Sequence, residues 1–265
     1  MIEAMLVAIF SVGGLALVFG IILGFSARKC AVKGDPRVDR IINVLPGANC
    51  GACGQPGCSM FAEKVVKGEA DYKSCSPGGA SAAAEIAEHL GVKYEGTDRM
   101  VAFVKCNGSD DNVKRSYIYD GPKSCVAASQ LATGGNKKCL YSCIGHESCK
   151  HACPFDAIEM KNNIAVVNTK KCTGCSKCVQ VCPKNIIEMV PDKAKVRMPC
   201  NSRDKGKVVR ENCRAGCINC NLCIKACGEN AIGFSNNVMT IDYDKCTMCL
   251  ECVNKCPVKA IRYTV

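Results

Sequence analysis

The hydrophobic pattern divides the chain into three unlike parts. Residues Ala4 to Phe25 are apolar apart from Ser11 and scattered glycines, a run that predicts a helix able to cross a bilayer core of roughly 30 Å. Arg28, Lys29 and Lys33 follow at once, and the start Met1-Ile2-Glu3 lacks the basic stretch of a secretory signal. The expectation is a single-pass anchor, with everything downstream on the cytoplasmic side of the cell membrane. Gly13, Gly14, Gly20 and Gly24 would let another membrane helix approach closely. Beyond the anchor the pattern turns amphipathic. Ser59 to Gly68, and the alanine-rich Ala80 to Leu90 ended by Gly91, predict two helices. The last part reads as short hairpins. Ala157-Ile158 leads through Asn162-Asn163 to Ile164–Val167, and Ala231-Ile232 through Asn236-Asn237 to Val238–Ile241. Asn-Asn suits the positive backbone dihedrals of a tight turn.

The two hairpins belong to a duplication. Cys139/Cys213, Cys143/Cys217, Cys149/Cys223, Cys153/Cys227, Cys172/Cys246, Cys175/Cys249, Cys178/Cys252 and Cys182/Cys256 are all 74 residues apart. The spacing is that of bacterial double-cluster ferredoxins, in which three cysteines of one run and the fourth of the other hold each cluster. The second unit therefore groups Cys217, Cys220 and Cys223 with Cys256, and Cys246, Cys249 and Cys252 with Cys227. The first groups Cys172, Cys175 and Cys178 with Cys153. Its other run is irregular, because His146 stands where the copy has Cys220. Cys139 is the nearest substitute, giving Cys139, Cys143, Cys149 and Cys182; His146 is either a ligand itself or a surface side chain. Proline follows Cys153, Cys182 and Cys256, whereas Gly228 follows Cys227, which bears on the packing and potential of that neighbouring cluster.

A separate group comes earlier: Cys50, Cys53, Cys58 and Cys75, with glycines that allow sharp turns and bring amides toward the sulfurs. It suits one [4Fe–4S] cluster, and on spacing alone also a zinc ion. Cys30, Cys106, Cys125, Cys200 and Cys213 remain. Cys30 is expected to be an unligated thiol. Cys125 and Cys200 nearly follow the repeat, and Cys213 is redundant where Cys220 is present. Cys106, Cys125, Cys200 and Cys213 thus form a candidate sixth site joining the two units, or are four ordinary buried thiols.

Composition narrows the chemistry. The 25 cysteines among 265 residues are odd in number and gathered in Cys-x2-Cys runs, which argues against a disulfide scaffold. The formal charge of +11 is offset by about −10 from five cysteine-ligated clusters of roughly −2 each. With no tryptophan and few aromatics, nucleic acid is not expected as a partner. No glycine-rich dinucleotide fingerprint, phosphate loop or nucleophile–base pair occurs, so no catalytic residue is expected in this chain itself. Lys137, Lys138, Lys150, Lys170, Lys171, Lys205, Lys207 and Arg210 are candidates for steering an acidic partner.

An anchor, then Leu45-Pro46-Gly47-Ala48-Asn49-Cys50-Gly51-Ala52-Cys53 leading to Gly57-Cys58, then ferredoxin units, resembles the B-subunit family of Rnf complexes, ion-translocating ferredoxin:NAD oxidoreductases. The resemblance covers nearly the whole chain and looks like the long form of anaerobic bacteria; shorter relatives carry one unit. It implies an electron-entry subunit of a translocase, taking electrons from reduced ferredoxin or flavodoxin and passing them toward membrane and flavin-bearing partners. NAD reduction and Na⁺ or H⁺ pumping would belong to the whole complex. Other readings are a relay subunit of a different membrane oxidoreductase, a membrane-anchored zinc protein, or a redox sensor.

The fold class expected is α+β: one transmembrane helix, a small helical [4Fe–4S] domain and two tandem double-cluster modules. The expected divisions are an anchor at 1–27, a linker at 28–35, the helical domain at 36–91, a connecting region at 92–138, and modules at 139–199 and 200–265. Five [4Fe–4S] clusters are expected, with the sixth site as a further candidate.

Overall fold

The opening apolar run folds as one helix, α1 (Ile2–Lys29). The structure, a computed structural model, describes residues 2–29, 35–94, 96 and 98–264, with side chains from residue 12 onward except 27 and 28. Among the described residues no helix is long and apolar enough to cross a membrane. The expected transmembrane helix is therefore corrected. The large apolar side chains of α1, from Val12 to Phe25, are exposed. Added Cβ atoms at Gly13, Gly14, Gly20 and Gly24 would meet no described atom within 4 Å. Cys30 lies outside the described residues.

A three-helix unit follows. Asp35 caps α2 (Pro36–Val44) by accepting from the Arg37 amide, with proline at the first helical turn. Helix α3 (Cys58–Val66) begins where Asn49 Oδ1 accepts the Cys58 amide at 2.8 Å, and α4 (Gly79–Leu90) ends at left-handed Gly91, φ 68°. Their apolar faces close on Ile41, Leu45, Phe61, Ala62, Val65 and Ile86. Phe61, 1% exposed, is the largest of these, and burying such a ring contributes up to about 3 kcal/mol.

The duplicated part repeats one design twice. The first module comprises β1 (Met100–Val104), α5 (Cys125–Ser129), α6 (Ser148–His151), β2 (Ile158–Lys161), β3 (Ile164–Val167), α7 (Lys177–Gln180) and β4 (Ile187–Pro191). The second comprises β5 (Val196–Arg197), α8 (Gly206–Asn212), α9 (Leu222–Ala226), β6 (Ile232–Ser235), β7 (Val238–Ile241), α10 (Glu251–Asn254) and β8 (Arg262–Tyr263). In each, the hairpin turns on Asn-Asn: Asn162, Asn163, Asn236 and Asn237 take φ between 49° and 60°, and Lys161↔Ile164 and Ser235↔Val238 close the antiparallel registers. The second ribbon of each module joins a leading strand to the last one, β1 with β4 and β5 with β8, both antiparallel. The stretch 92–138, to which the sequence assigned no fold, thus supplies β1 and α5. It also ties the modules together. The Asp110 amide donates to Asn162 O at 3.2 Å in the first, and the Arg214 amide of the second donates to Asn112 O at 2.7 Å.

Candidate metal centres

Each ferredoxin-type loop bends through left-handed backbone, which turns successive amides and cysteine side chains inward. Glu147 and Asn221 take φ 63° and 58°, and Ser176 and Leu250 take 60° and 68°, each pair 74 residues apart and each just before a short helix. A leucine there is a strained choice, and no feature of its sequence position announces it. A second recurring device is an alanine four residues after a ligand candidate. The amides of Ala157, Ala231 and Ala260 donate to Sγ of Cys153, Cys227 and Cys256 at 3.4, 3.3 and 3.2 Å. The contact at Cys227 matches the other two although Gly228 replaces proline there. Such amide–sulfur bonds favour the thiolate and tune a cluster's potential.

All 24 described cysteines are free thiols. Among the described residues no three His, Cys, Asp or Glu side chains close on a single ion position. Four thiolates on one zinc would stand about 3.8 Å apart, given Zn–S near 2.3 Å. The thiols instead line pockets in groups of four. Cys217, Cys220, Cys223 and Cys256 line one, and Cys227, Cys246, Cys249 and Cys252 another. Both groups are those the ferredoxin spacing brings together.

In the first module, Cys153, Cys172, Cys175 and Cys178 likewise come together. Burial raises the Cys178 thiol to about 12, and repulsion from Cys172, Cys175 and Cys153 adds to it. The irregular run departs from the expected grouping. Cys125, not Cys139, joins Cys143, Cys149 and Cys182 around one cavity. The Cys125 amide donates to Ser148 Oγ at 2.8 Å, which fixes α5 against the loop. His146 neither lines this cavity nor sits on the surface. It is half-buried, with its ring 4.5 Å from that of Tyr119, and burial followed by the charges of Lys137 and Arg115 lowers its pKa.

Cys139 lies elsewhere. With Cys106, Cys200 and Cys213 it lines a fourth cavity between the modules. Burial pushes the Cys139 thiol up to about 12, with repulsion from Cys106, Cys200 and Cys213. Of the four residues grouped as a sixth site from sequence, the structure brings together three and exchanges Cys125 for Cys139.

In the helical domain, Cys50, Cys53, Cys58 and Cys75 converge. Burial raises the Cys75 thiol, opposed by the Gly78 amide, while Cys53, Cys58 and Cys50 raise it further. A Cβ on Gly78 would sit 3.2 Å from Cys75 Sγ and 2.7 Å from Ala82 Cβ, so only glycine fits there. This domain meets the first module at the same place: a Cβ on Gly174 would lie 3.5 Å from Ser76 Cβ, and Cys50 is among the charges that act on Cys175.

Of the basic candidates, Lys137 is not a surface group. It is 3% exposed, and its Nζ donates to Gly108 O and Asn163 O at 2.8 Å each. Lys138, Lys170, Lys171, Lys205, Lys207 and Arg210 are exposed and Lys150 is half-buried.

Comparison with known proteins agrees with this geometry. A family model for an Fe-S cluster matches residues 45–77, and two for a 4Fe-4S dicluster domain match 140–189 and 216–260. The B subunit of the Na(+)-translocating ferredoxin:NAD(+) oxidoreductase complex of Acetobacterium woodii is 44% identical, covering 98% of this chain and 78% of that protein. The B subunit of the ion-translocating oxidoreductase complex of Methanosarcina acetivorans is 41% identical over 94% of each chain. The proton-translocating counterpart in Clostridium ljungdahlii is 38% identical, covering 95% of this chain and 89% of its own. The chain belongs to the B-subunit family of ion-translocating ferredoxin:NAD oxidoreductase (Rnf) complexes.

Proposed function

We propose that this subunit holds five [4Fe–4S] clusters and relays single electrons from a reduced ferredoxin or flavodoxin to the other subunits of its complex. The five ligand groups are Cys50, Cys53, Cys58 and Cys75; Cys153, Cys172, Cys175 and Cys178; Cys125, Cys143, Cys149 and Cys182; Cys217, Cys220, Cys223 and Cys256; and Cys227, Cys246, Cys249 and Cys252. When bound, each cluster supplies reversible one-electron uptake. The chain's own residues supply the rest: thiolates to hold it, amides aimed at sulfur, and apolar walls of Ile, Val and Ala that keep water away.

The observation that carries this reading is the gathering of four thiols around each of three pockets, while among the described residues no three donors close on a single ion position. The helical domain's group abuts the first module, and exposed Cys220 and Cys249 lie at the opposite end of the sequence order. Exposed Lys205, Lys207 and Arg210 on and beside α8 suit an acidic donor. Ion translocation by such a complex takes place across a membrane, and the thiol-rich part belongs on its reducing, cytoplasmic side.

The test mixes fully reduced flavodoxin with the oxidised, anaerobically prepared full chain in a stopped-flow instrument. Flavin reoxidation with bleaching of the cluster absorbance, slower at high salt, is expected. A flavodoxin that stays reduced, in a chain shown to hold its iron, overturns the donor assignment.

A further inference from the structure

Four cysteines outside all three matched family segments, Cys106, Cys139, Cys200 and Cys213, face one another between the two modules. We propose that they bind a sixth [4Fe–4S] cluster, which joins the two modules into a single electron path; this rests on the relay reading of the other five groups.

The duplication itself builds the site. Cys139 and Cys213 are repeat partners, 74 residues apart. Cys106 and Cys200 are structural partners although their offset differs: each follows the leading strand of its module, β1 or β5. Each also accepts an amide from a repeat-related residue, Cys143 N–H onto Cys106 Sγ and Cys217 N–H onto Cys200 Sγ, both at 3.3 Å. The site therefore takes the same two cysteines from each copy. The offset has a plain origin. Cys106 and Cys139 are separated by 33 positions and Cys200 and Cys213 by 13, so the first copy carries 20 extra residues. That extra segment contains Cys125, which fills the place left by His146 and frees Cys139 for its repeat partner.

The space fits the group. Four thiols line it, as four line each of the three other pockets. Its surroundings are set for negative charge. Lys105, which lines the cavity and faces the Cys200 thiol, is 8% exposed. An ammonium group so far from water is costly unless anionic charge sits near it. Glu188, 3.2 Å from Lys105, answers part of this, and four thiolates with a cluster would answer more.

Position gives the site its consequence. Cys143 lines the cavity shared with Cys125, and Cys217 the cavity shared with Cys220. The middle group is thus one amide–sulfur contact from a ligand group in each module. Without a redox centre there, the thiol groups of the two modules are separated by protein alone.

The experiment compares the anaerobically reconstituted full chain with its Cys200→Ser/Cys213→Ser variant by iron and sulfide analysis and by EPR after dithionite reduction. The parent is expected to hold about 24 irons and the variant about 20, with one reduced-cluster signal missing. Equal iron in both, or one zinc per chain lost in place of iron, overturns the sixth cluster while leaving the relay reading intact. Little iron in the parent would sink the relay reading itself. If the variant fails to fold, iron-edge anomalous density from the parent decides: four irons inside these thiols support the proposal, and none there overturns it.

Discussion

Removing Cys125 and restoring the repeat at residue 146 should be a loss and a rescue. Cys125→Ala deletes one of four thiols around the cavity it shares with Cys143, Cys149 and Cys182, and the three left are expected to lose that cluster, about four irons per chain. His146 lies 74 residues before Cys220, and the backbone around the two positions is alike. Gly145 and Asn219 take φ 92° and 56°, and Glu147 and Asn221 take 63° and 58°. Cysteine at 146 should therefore reach the cavity as Cys220 reaches its own, and Cys125→Ala/His146→Cys should regain the four irons. The rescue is not free of cost. The Tyr119–His146 ring contact, 4.5 Å between centroids, is worth about 0.5–1.5 kcal/mol, so the double variant should melt a few degrees below the parent. Iron and sulfide per chain, measured on the three proteins prepared side by side, are the readout. Full iron in Cys125→Ala, or no recovery in the double variant, refutes the reasoning from the duplication.

Other expectations follow from the same contacts. Asn49→Ala should cost about 1 kcal/mol through the lost hydrogen bond from Cys58 N–H, and should speed cluster loss from the helical domain on exposure to chelator; an unchanged rate speaks against that role. Phe61→Ala, at a residue 1% exposed, should cost about 3–5 kcal/mol, seen as earlier proteolysis within residues 36–91 while the modules resist. Gly206→Ala would place a methyl 2.1 Å from Ile218 O, so α8 must shift; a melting temperature equal to the parent's contradicts that contact.

Asp110 gives a pH expectation with a definite sign. Burial raises its carboxyl, but hydrogen bonds from Arg115 and Asn163 outweigh this and hold it below 3.8. A depressed folded pKa gives stability that is present above the unfolded value and lost as pH falls through the folded one. Asp110→Asn should therefore raise the exchange rate of amides in 107–116 by a factor constant from pH 8 to 5, closing only below about pH 4. A gap that shrinks between pH 8 and 6 would contradict the assignment.

Much of the thiol grouping was legible in the sequence because the Cys-x2-Cys runs are local. Cys246, Cys249 and Cys252 sit on one loop, and the repeat points to Cys227 as the fourth thiol of their pocket. The Asn-Asn turns and the Gly91 stop were equally readable, since each imposes its own backbone geometry. The exchange of Cys125 for Cys139 was not. Cys125 reaches its site from an insertion, and nothing in local spacing tells which of two cysteines packs against Ser148. The signal was present in the pair Cys139/Cys213, whose common offset implied a common destination. The buried Lys137 was hidden for a similar reason: its neighbours Gly108 and Asn163 are far away in sequence. The apolar run before residue 26 suggested a membrane span that the described helix does not provide.

The most direct test of the account is metal analysis of the anaerobically purified full chain with a visible spectrum before and after dithionite. The account requires at least about 20 irons with matching sulfide, and a brown absorbance that bleaches on reduction. A colourless protein holding stoichiometric zinc and little iron would contradict it.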